Sequence, residues 1–184
     1  PIKRESLFGL YKGPVFKRAH RIPKEIHVIG AGIAGATVAR HLAEAAVDVK
    51  IWDPYGPGSG ASGISASLLH GRLLGDQTAE ADLRAHAFHY SSNFLKSYSS
   101  FKRCGVLQIN GSNMSADKML RIKKAYPYSN EWLQVLEQEA IEDISGIKVE
   151  SKYALWFSGG GIVNLPRLCH ELLNHPNIQL NVET

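Results

Sequence analysis

The sequence predicts an α/β fold built around a parallel sheet, and three observations predict it. Residues 25–30, EIHVIG, form a β-rich run that stops on glycine. Gly30, Gly32 and Gly35 follow in the spacing G-x-G-x-x-G and open a stretch whose apolar residues recur at helical spacing. Residues 47–52, VDVKIW, alternate, and Asp53 comes directly after them. Strand, glycine turn, helix and strand make a βαβ unit, and such a unit pairs its strands in parallel through a right-handed crossover.

The elements then follow in order. Residues 1–24 show no period, include Gly9, Gly13, Pro14 and Pro23, and read as an arm or interdomain linker. The first strand is expected over 25–30, the helix over 33–46 and the second strand over 47–52. Residues 54–63, PYGPGSGASG, are a loop whose small residues let a ligand approach the backbone. Residues 64–75 are mixed and receive no element. Residues 77–101 read as a long amphipathic helix with apolar positions at Ala81, Leu83, Ala87, Phe88, Phe94, Leu95 and Tyr98. A strand is expected over 105–110, mostly helix over 114–138, and a strand over 153–157. Residues 158–166 form a glycine turn into a helix that opens near Pro166, and residues 178–184 close the chain as a strand. The domain expectation is a basic arm over 1–24, a nucleotide-binding part over 25–103, and a second α+β part with a returning segment over 104–184.

Composition bounds the function. Hydrophobic residues make up 44% and charged residues 21% of the 184, which fits a globular domain with a core. No apolar run is long enough to span a bilayer, and no export signal is visible, so a cytoplasmic location is expected with no membrane partner. The net charge of +4 is uneven: residues 1–24 hold seven Lys and Arg against Glu5 alone. A basic arm attracts phosphates, or is a solvated linker; charge alone favours the linker. Cys104 and Cys169 have no metal-ligand spacing and are expected to be buried, apolar-like thiols. His86 and His89, three apart on a helix, have no acid or cysteine partners and read as a packed or solvated face, as do His170 and His175. No metal site is expected. Tyr90, Phe94 and Tyr98, four apart, read as packing rather than base stacking.

The glycine motif carries the chemistry. Gly30 permits a tight turn out of the strand, Gly32 lets a pyrophosphate touch the backbone, and Gly35 lets the helix approach closely. Amides at the helix N-terminus, Ile33 and Ala34 among them, offer free N–H groups and partial positive charge to a diphosphate. Asp53, 21 residues after Gly32, is placed to accept ribose hydroxyls. This is the Rossmann-like pattern. An acid there disfavours a 2′-phosphate, so NAD and FAD remain, and a methyltransferase turn that binds S-adenosylmethionine is the weaker competitor.

With GASG added, Gly60, Ala61, Ser62 and Gly63, the sequence resembles the FAD-dependent amine oxidases of the D-amino-acid oxidase class, in which that loop runs along the flavin diphosphate. The resemblance is spread along the chain: KRESLFG at 3–9, VIGAGIAGATVARHLA at 28–43, GASGISASLLHGRL at 60–73, CGVLQI at 104–109 and GGGIVNLPRLCHELL at 159–173. Within the class it is similar to a tRNA-modifying branch whose oxidoreductase domain is fused to a methyltransferase. Two departures concern substrate details: Ile64 stands where the family has Asn, and Gly160, Gly161, Ile162, Leu165 and Pro166 replace its GGW and Pro-rich turn. The resemblance implies an FAD-binding fold, and a chain that is the N-terminal part of a domain about twice as long. It implies a substrate in the anticodon loop of tRNA, a wobble uridine whose carboxymethylaminomethyl group is oxidised at carbon with release of glyoxylate. A small-molecule glycine or sarcosine oxidase and a non-catalytic nucleotide-binding module are the alternatives. His70 and Arg72, just after GASG, are weak candidates for the substrate carboxylate, with a turn cap and an ion pair as their plain alternatives. No catalytic residue is assigned.

Overall fold

The structure, a computed structural model, describes residues 23–182 other than Gln77, Ser112, Asn113, Tyr128 and Asn130. The arm expected over 1–24 lies outside the described residues except for its last two, and so does KRESLFG.

The βαβ unit forms as expected. β1 (Glu25–Ile29) and β2 (Asp48–Trp52) pair in parallel, with Val28 opposite Ile51. The helix between them, α1 (Ile33–Glu44), stops two residues early, because Ala46 turns into the left-handed region with φ 60°. A third parallel strand, β9 (Ile178–Asn181), adds to the far side of β2, so the sheet order is β1-β2-β9. The whole of residues 53–177 is therefore the connection between two neighbouring strands.

Two antiparallel sheets occupy that connection. β3 (Ser67–Leu69) and β4 (Phe101–Arg103) flank β8 (Gly161–Val163), and β5 (Val106–Ile109) and β6 (Leu133–Glu137) flank β7 (Tyr153–Phe157). The remaining helices are α2 (Ala79–Leu95), α3 (Ala116–Ala125), α4 (Gln138–Ser145) and α5 (Leu165–Leu173).

Several local expectations are corrected. The long helix ends at Leu95, and Phe101–Arg103 is a strand. Its buried stripe is Ala81, Ala85, Phe88, Ser92 and Leu95, while Leu83 is 68% exposed, so two of the expected apolar positions, Leu83 and Ala87, face solvent. The stretch expected to be mostly helical, 114–138, holds only α3 and then β6. Pro127 cannot continue a helix, and LQVLE takes an edge of β7. α4, β3 and β8 are elements that the sequence pattern does not announce. Cys104 is exposed rather than buried; Cys169 is buried.

The core has two parts. Between the parallel sheet and its helices, Ala36, Ala39 and Ala43 of α1 lie against Val49, Ile51, Leu168, Cys169 and Leu172. Three alanines at helical spacing bring α1 close to the sheet and to α5. The second part gathers Phe88, Met119, Ile122, Leu133, Leu155 and Phe157 around the third sheet. Leu69 packs against both. Each fully buried Leu, Ile or Phe is worth about 1.5–3 kcal/mol relative to exposure.

Candidate nucleotide-binding site

The site is built at the C-terminal end of β1. Gly30 takes φ 96°, which favours glycine, and its N–H donates to the Trp52 carbonyl at 2.7 Å, closing the turn against β2. A Cβ on Gly35 would lie 1.9 Å from the Gly30 carbonyl oxygen, so the helix touches the turn backbone directly. The sequence assigned Gly35 to helix–strand contact, and the contact is mainly with the turn itself.

Gly32 is the extended residue before α1, and it carries no side chain that caps the helix. The cap comes from elsewhere. Ile33 N–H donates to Ser62 Oγ at 3.0 Å, across 29 residues. Ser62 is 7% exposed, whereas Gly60, Ala61 and Gly63 around it are exposed. A Cβ on Gly32 would stand 3.2 Å from that same hydroxyl oxygen. GASG is thus pinned to the glycine turn by its serine. Geometry leaves Ile33, Ala34 and Gly35 without acceptors inside the helix, and the serine takes the first.

Asp53 ties the remaining side. Its Oδ2 accepts from Ala31 N–H at 2.8 Å, and its Oδ1 accepts from Tyr55 N–H at 2.9 Å and Gly56 N–H at 3.0 Å. The Ala31 amide is the largest cause holding its carboxyl below the ordinary 3.8, followed by Tyr55; burial opposes them, and Gly56 and the Ser59 hydroxyl add to the lowering. The loop returns through Gly58, whose N–H donates to the Ala31 carbonyl at 3.1 Å and whose Cβ would lie 2.9 Å from Pro166 Cα. Leu165 N–H donates to the Ile64 carbonyl at 3.2 Å. The start of α5 therefore backs the loop, a support that no local signal announced.

Two cavities adjoin this knot. One of about 420 Å³ opens beside Asp53 and is lined by His27, Ile29, Trp52 and Pro54, with the His27 and Trp52 rings stacked at 5.9 Å. The other, about 390 Å³, reaches from Ile33 and Thr37 on α1 to Leu68 and Leu69 on β3 and to Tyr90 and Phe94 on α2. Period and motif do not reveal this second wall, because β3 is only three residues long.

Gly30, Gly32, Ile33, Ala34, Gly35, Asp53, Gly60, Ala61, Ser62 and Gly63 are thus drawn together around one helix N-terminus. His70 and Arg72 are not part of that cluster. His70 Nε2 lies 3.2 Å from Gln108 Oε1, and the Arg72 carbonyl accepts from Arg84 Nη1 at 3.2 Å; neither the turn cap nor an ion pair is seen among the described residues. His89 packs edge-on against Trp132, and His86 bonds the Asp82 carbonyl on its own helix. Tyr90 stacks on Phe94, and Phe94 meets Tyr98 and His41 at a tilt.

A family model described as FAD dependent oxidoreductase matches residues 25–180. The chain belongs to this FAD-dependent oxidoreductase family. Among curated relatives, the tRNA 5-methylaminomethyl-2-thiouridine biosynthesis bifunctional protein MnmC of Marinobacter nauticus is 32% identical over 166 residues, 86% of this chain and 26% of its own length. The protein of the same name from Pseudomonas entomophila is 32% identical over 97% of this chain and 29% of its own. The chain thus spans little more than a quarter of the length of these relatives. Glycine oxidase from Bacillus cereus shares the fold with a TM-score of 0.67 at 18% identity, covering 88% of this chain and 48% of that one. L-Amino acid deaminase from Proteus myxofaciens matches with a TM-score of 0.66 at 15% identity, over 91% of this chain and 40% of its own. The family's cofactor is FAD, and the knot around α1 has the features such a dinucleotide needs: a bare Gly32 backbone at the helix start, a Gly35 that lets helix and turn touch, helix N-terminal amides and a carboxylate at the end of β2. Among the described residues no helix is long and apolar enough to cross a membrane.

Proposed function

We propose that this chain is the cofactor-gripping part of an oxidoreductase that oxidises the carboxymethylaminomethyl group of a tRNA wobble uridine at its C–N bond and releases glyoxylate. The observation that carries the cofactor half is the Ser62 hydroxyl on the Ile33 amide, which sets GASG against the glycine turn. The substrate half rests on the relatives named for tRNA 5-methylaminomethyl-2-thiouridine biosynthesis.

In this reading Ala34 and Gly35 donate to the diphosphate, with Gly30 and Gly32 leaving room for it. Asp53 takes a ribose hydroxyl in place of the Ser59 hydroxyl, and the His27–Trp52 cavity beside it receives the adenine. Gly60, Ala61 and Gly63 present backbone to the diphosphate and ribityl chain. FAD, when bound, supplies a two-electron acceptor. The net change removes two electrons and two protons across the C–N bond, and water then divides the imine into glyoxylate and an aminomethyl uridine. A wobble base already sits in a single-stranded loop, so presenting it costs little unstacking. Residues 25–103 form the cofactor part, and 104–184 begin the substrate part and return to the cofactor sheet through β9. A tRNA substrate places the protein in the cytoplasm, alongside a fused or partner methyltransferase.

The test uses the full-length protein. It is expected to purify with flavin absorbance, and hypomodified tRNA under anaerobic conditions is expected to bleach that absorbance with one glyoxylate formed per flavin. Bleaching by glycine but not by tRNA would establish the small-molecule oxidase instead, and absence of flavin would reject the cofactor half.

A further inference from the structure

The segment after β3 carries a feature separate from the glycine loops. Leu69 lines the apolar cavity beside α1, and the next residue, His70, lines a different one. That second cavity, about 190 Å³, is walled by His70, Arg72, Arg84, Gln108 and Lys118. It shares Leu74 and Lys118 with a hollow of about 220 Å³ that Asp76 and Arg121 also line. The two make one groove. Its walls hold Arg72, Arg84, Lys118 and Arg121 with Asp76, and Glu80 on α2 pairs with Arg84.

These cations come from three places: the stretch after β3, the first half of α2, and α3. The fold gathers them, since no run of sequence does. Arg84 is held by its bonds to the Arg72 carbonyl at 3.2 Å and to Glu80 at 2.6 Å. His70 is held by Gln108 and by its edge contact with Phe157 at 4.9 Å. Burial pushes its imidazole below the ordinary 6.5; Gln108 opposes this and the Arg72 charge assists it. A small carboxylate needs one arginine fork. Cations strung along two adjoining hollows suit an anion whose charges repeat along a chain.

We infer that this groove binds the sugar–phosphate backbone of single-stranded RNA, with Arg72, Lys118 and Arg121 facing its phosphates. The inference rests on the tRNA reading above and adds where the strand lies. Phosphate contacts of this kind position a substrate without reading its sequence.

The experiment measures binding of a synthetic anticodon stem–loop RNA to the full-length protein by fluorescence anisotropy across a salt series. Replacing Lys118→Gln together with Arg121→Gln is expected to flatten the slope of log affinity against log salt by about 1.4, since each phosphate neutralised on a single strand contributes about 0.7. Flavin content and thermal midpoint are expected to stay at the wild-type values. Arg72→Gln is expected to flatten it by about 0.7, and Arg72→Lys to restore it. A control pair, Lys96→Gln with Lys102→Gln, exposed and outside both hollows, is expected to leave the slope in place. An unchanged slope in the groove pair overturns the inference, and so does an equal loss in the control pair, which would mean general charge attraction. A higher KM for free glycine with RNA affinity unmoved would assign the cations to a small carboxylate and also overturn it. If wild type binds and oxidises tRNA while the groove pair loses nothing, the groove alone falls; if wild type binds no RNA, groove and tRNA reading fall together.

Discussion

At the scale of single residues, three positions carry the proposed cofactor grip, and each acts on backbone: a missing Cβ at Gly35, a hydroxyl at Ser62 and a carboxylate at Asp53. Gly35→Ala would set a methyl 1.9 Å from the Gly30 carbonyl oxygen. Backbone on both sides cannot yield cheaply, so a loss of about 1–3 kcal/mol or more is expected, read as a lower denaturant midpoint with loss of bound flavin. Ser62→Ala removes the acceptor of the Ile33 amide; loss of a helix cap costs about 1 kcal/mol, and FAD affinity is expected to fall with it. Asp53 gives a pH signature. Its carboxyl is held below its unfolded value by amide donors, so it stabilises the fold above the ordinary carboxylate pKa, and that contribution disappears as pH falls through the lowered value. The stability gap between wild type and Asp53→Asn, followed by urea unfolding, is therefore expected to be widest near neutrality and to close in acid. A gap that widened toward acid would contradict the hydrogen-bond assignment.

At the scale of elements, α2 shows what a periodic pattern conveys and what it misses. Its N-cap is Thr78, whose Oγ1 accepts from Ala81 N–H at 3.2 Å, a cap that the reading by period did not assign. Its buried face was legible only in part, because Leu83 is apolar but faces water and Ser92 is polar but buried, donating to the Gly159 carbonyl at 2.8 Å. Leu83→Glu is therefore expected to leave stability within about 0.5 kcal/mol. Phe88→Ala, which empties a site packed against Trp132 and Phe157, is expected to cost about 3–5 kcal/mol in equilibrium unfolding. β6 shows the opposite failure. LQVLE is short and apolar enough for either element, and its register with Phe157, Trp156 and Leu155 decides the matter.

At the scale of the whole molecule, β1 stands at the edge of the parallel sheet among the described residues, with Ile29 at its end 90% exposed. An open strand edge with an apolar end invites pairing. The 184-residue chain by itself is expected to self-associate, and Ile29→Lys is expected to shift it toward monomer in sedimentation velocity. Unchanged association would show that this edge is not the contact. The sequence by itself determined the βαβ unit, the turn glycines and the acid after β2, because strand period, helix period and glycine conformation are local properties of a chain. It also made FAD the expected cofactor through GASG. Only the tertiary structure decided that Ser62 caps α1, that α5 backs the loop, and that Arg72 joins Arg84, Lys118 and Arg121 away from the glycines. Those pairings join distant residues, 12 positions apart for Arg84 to Arg72 and 29 for Ile33 to Ser62. Contacts at that separation leave no local pattern, since they form only when elements distant in sequence pack together, as where Leu69 lies against both core clusters.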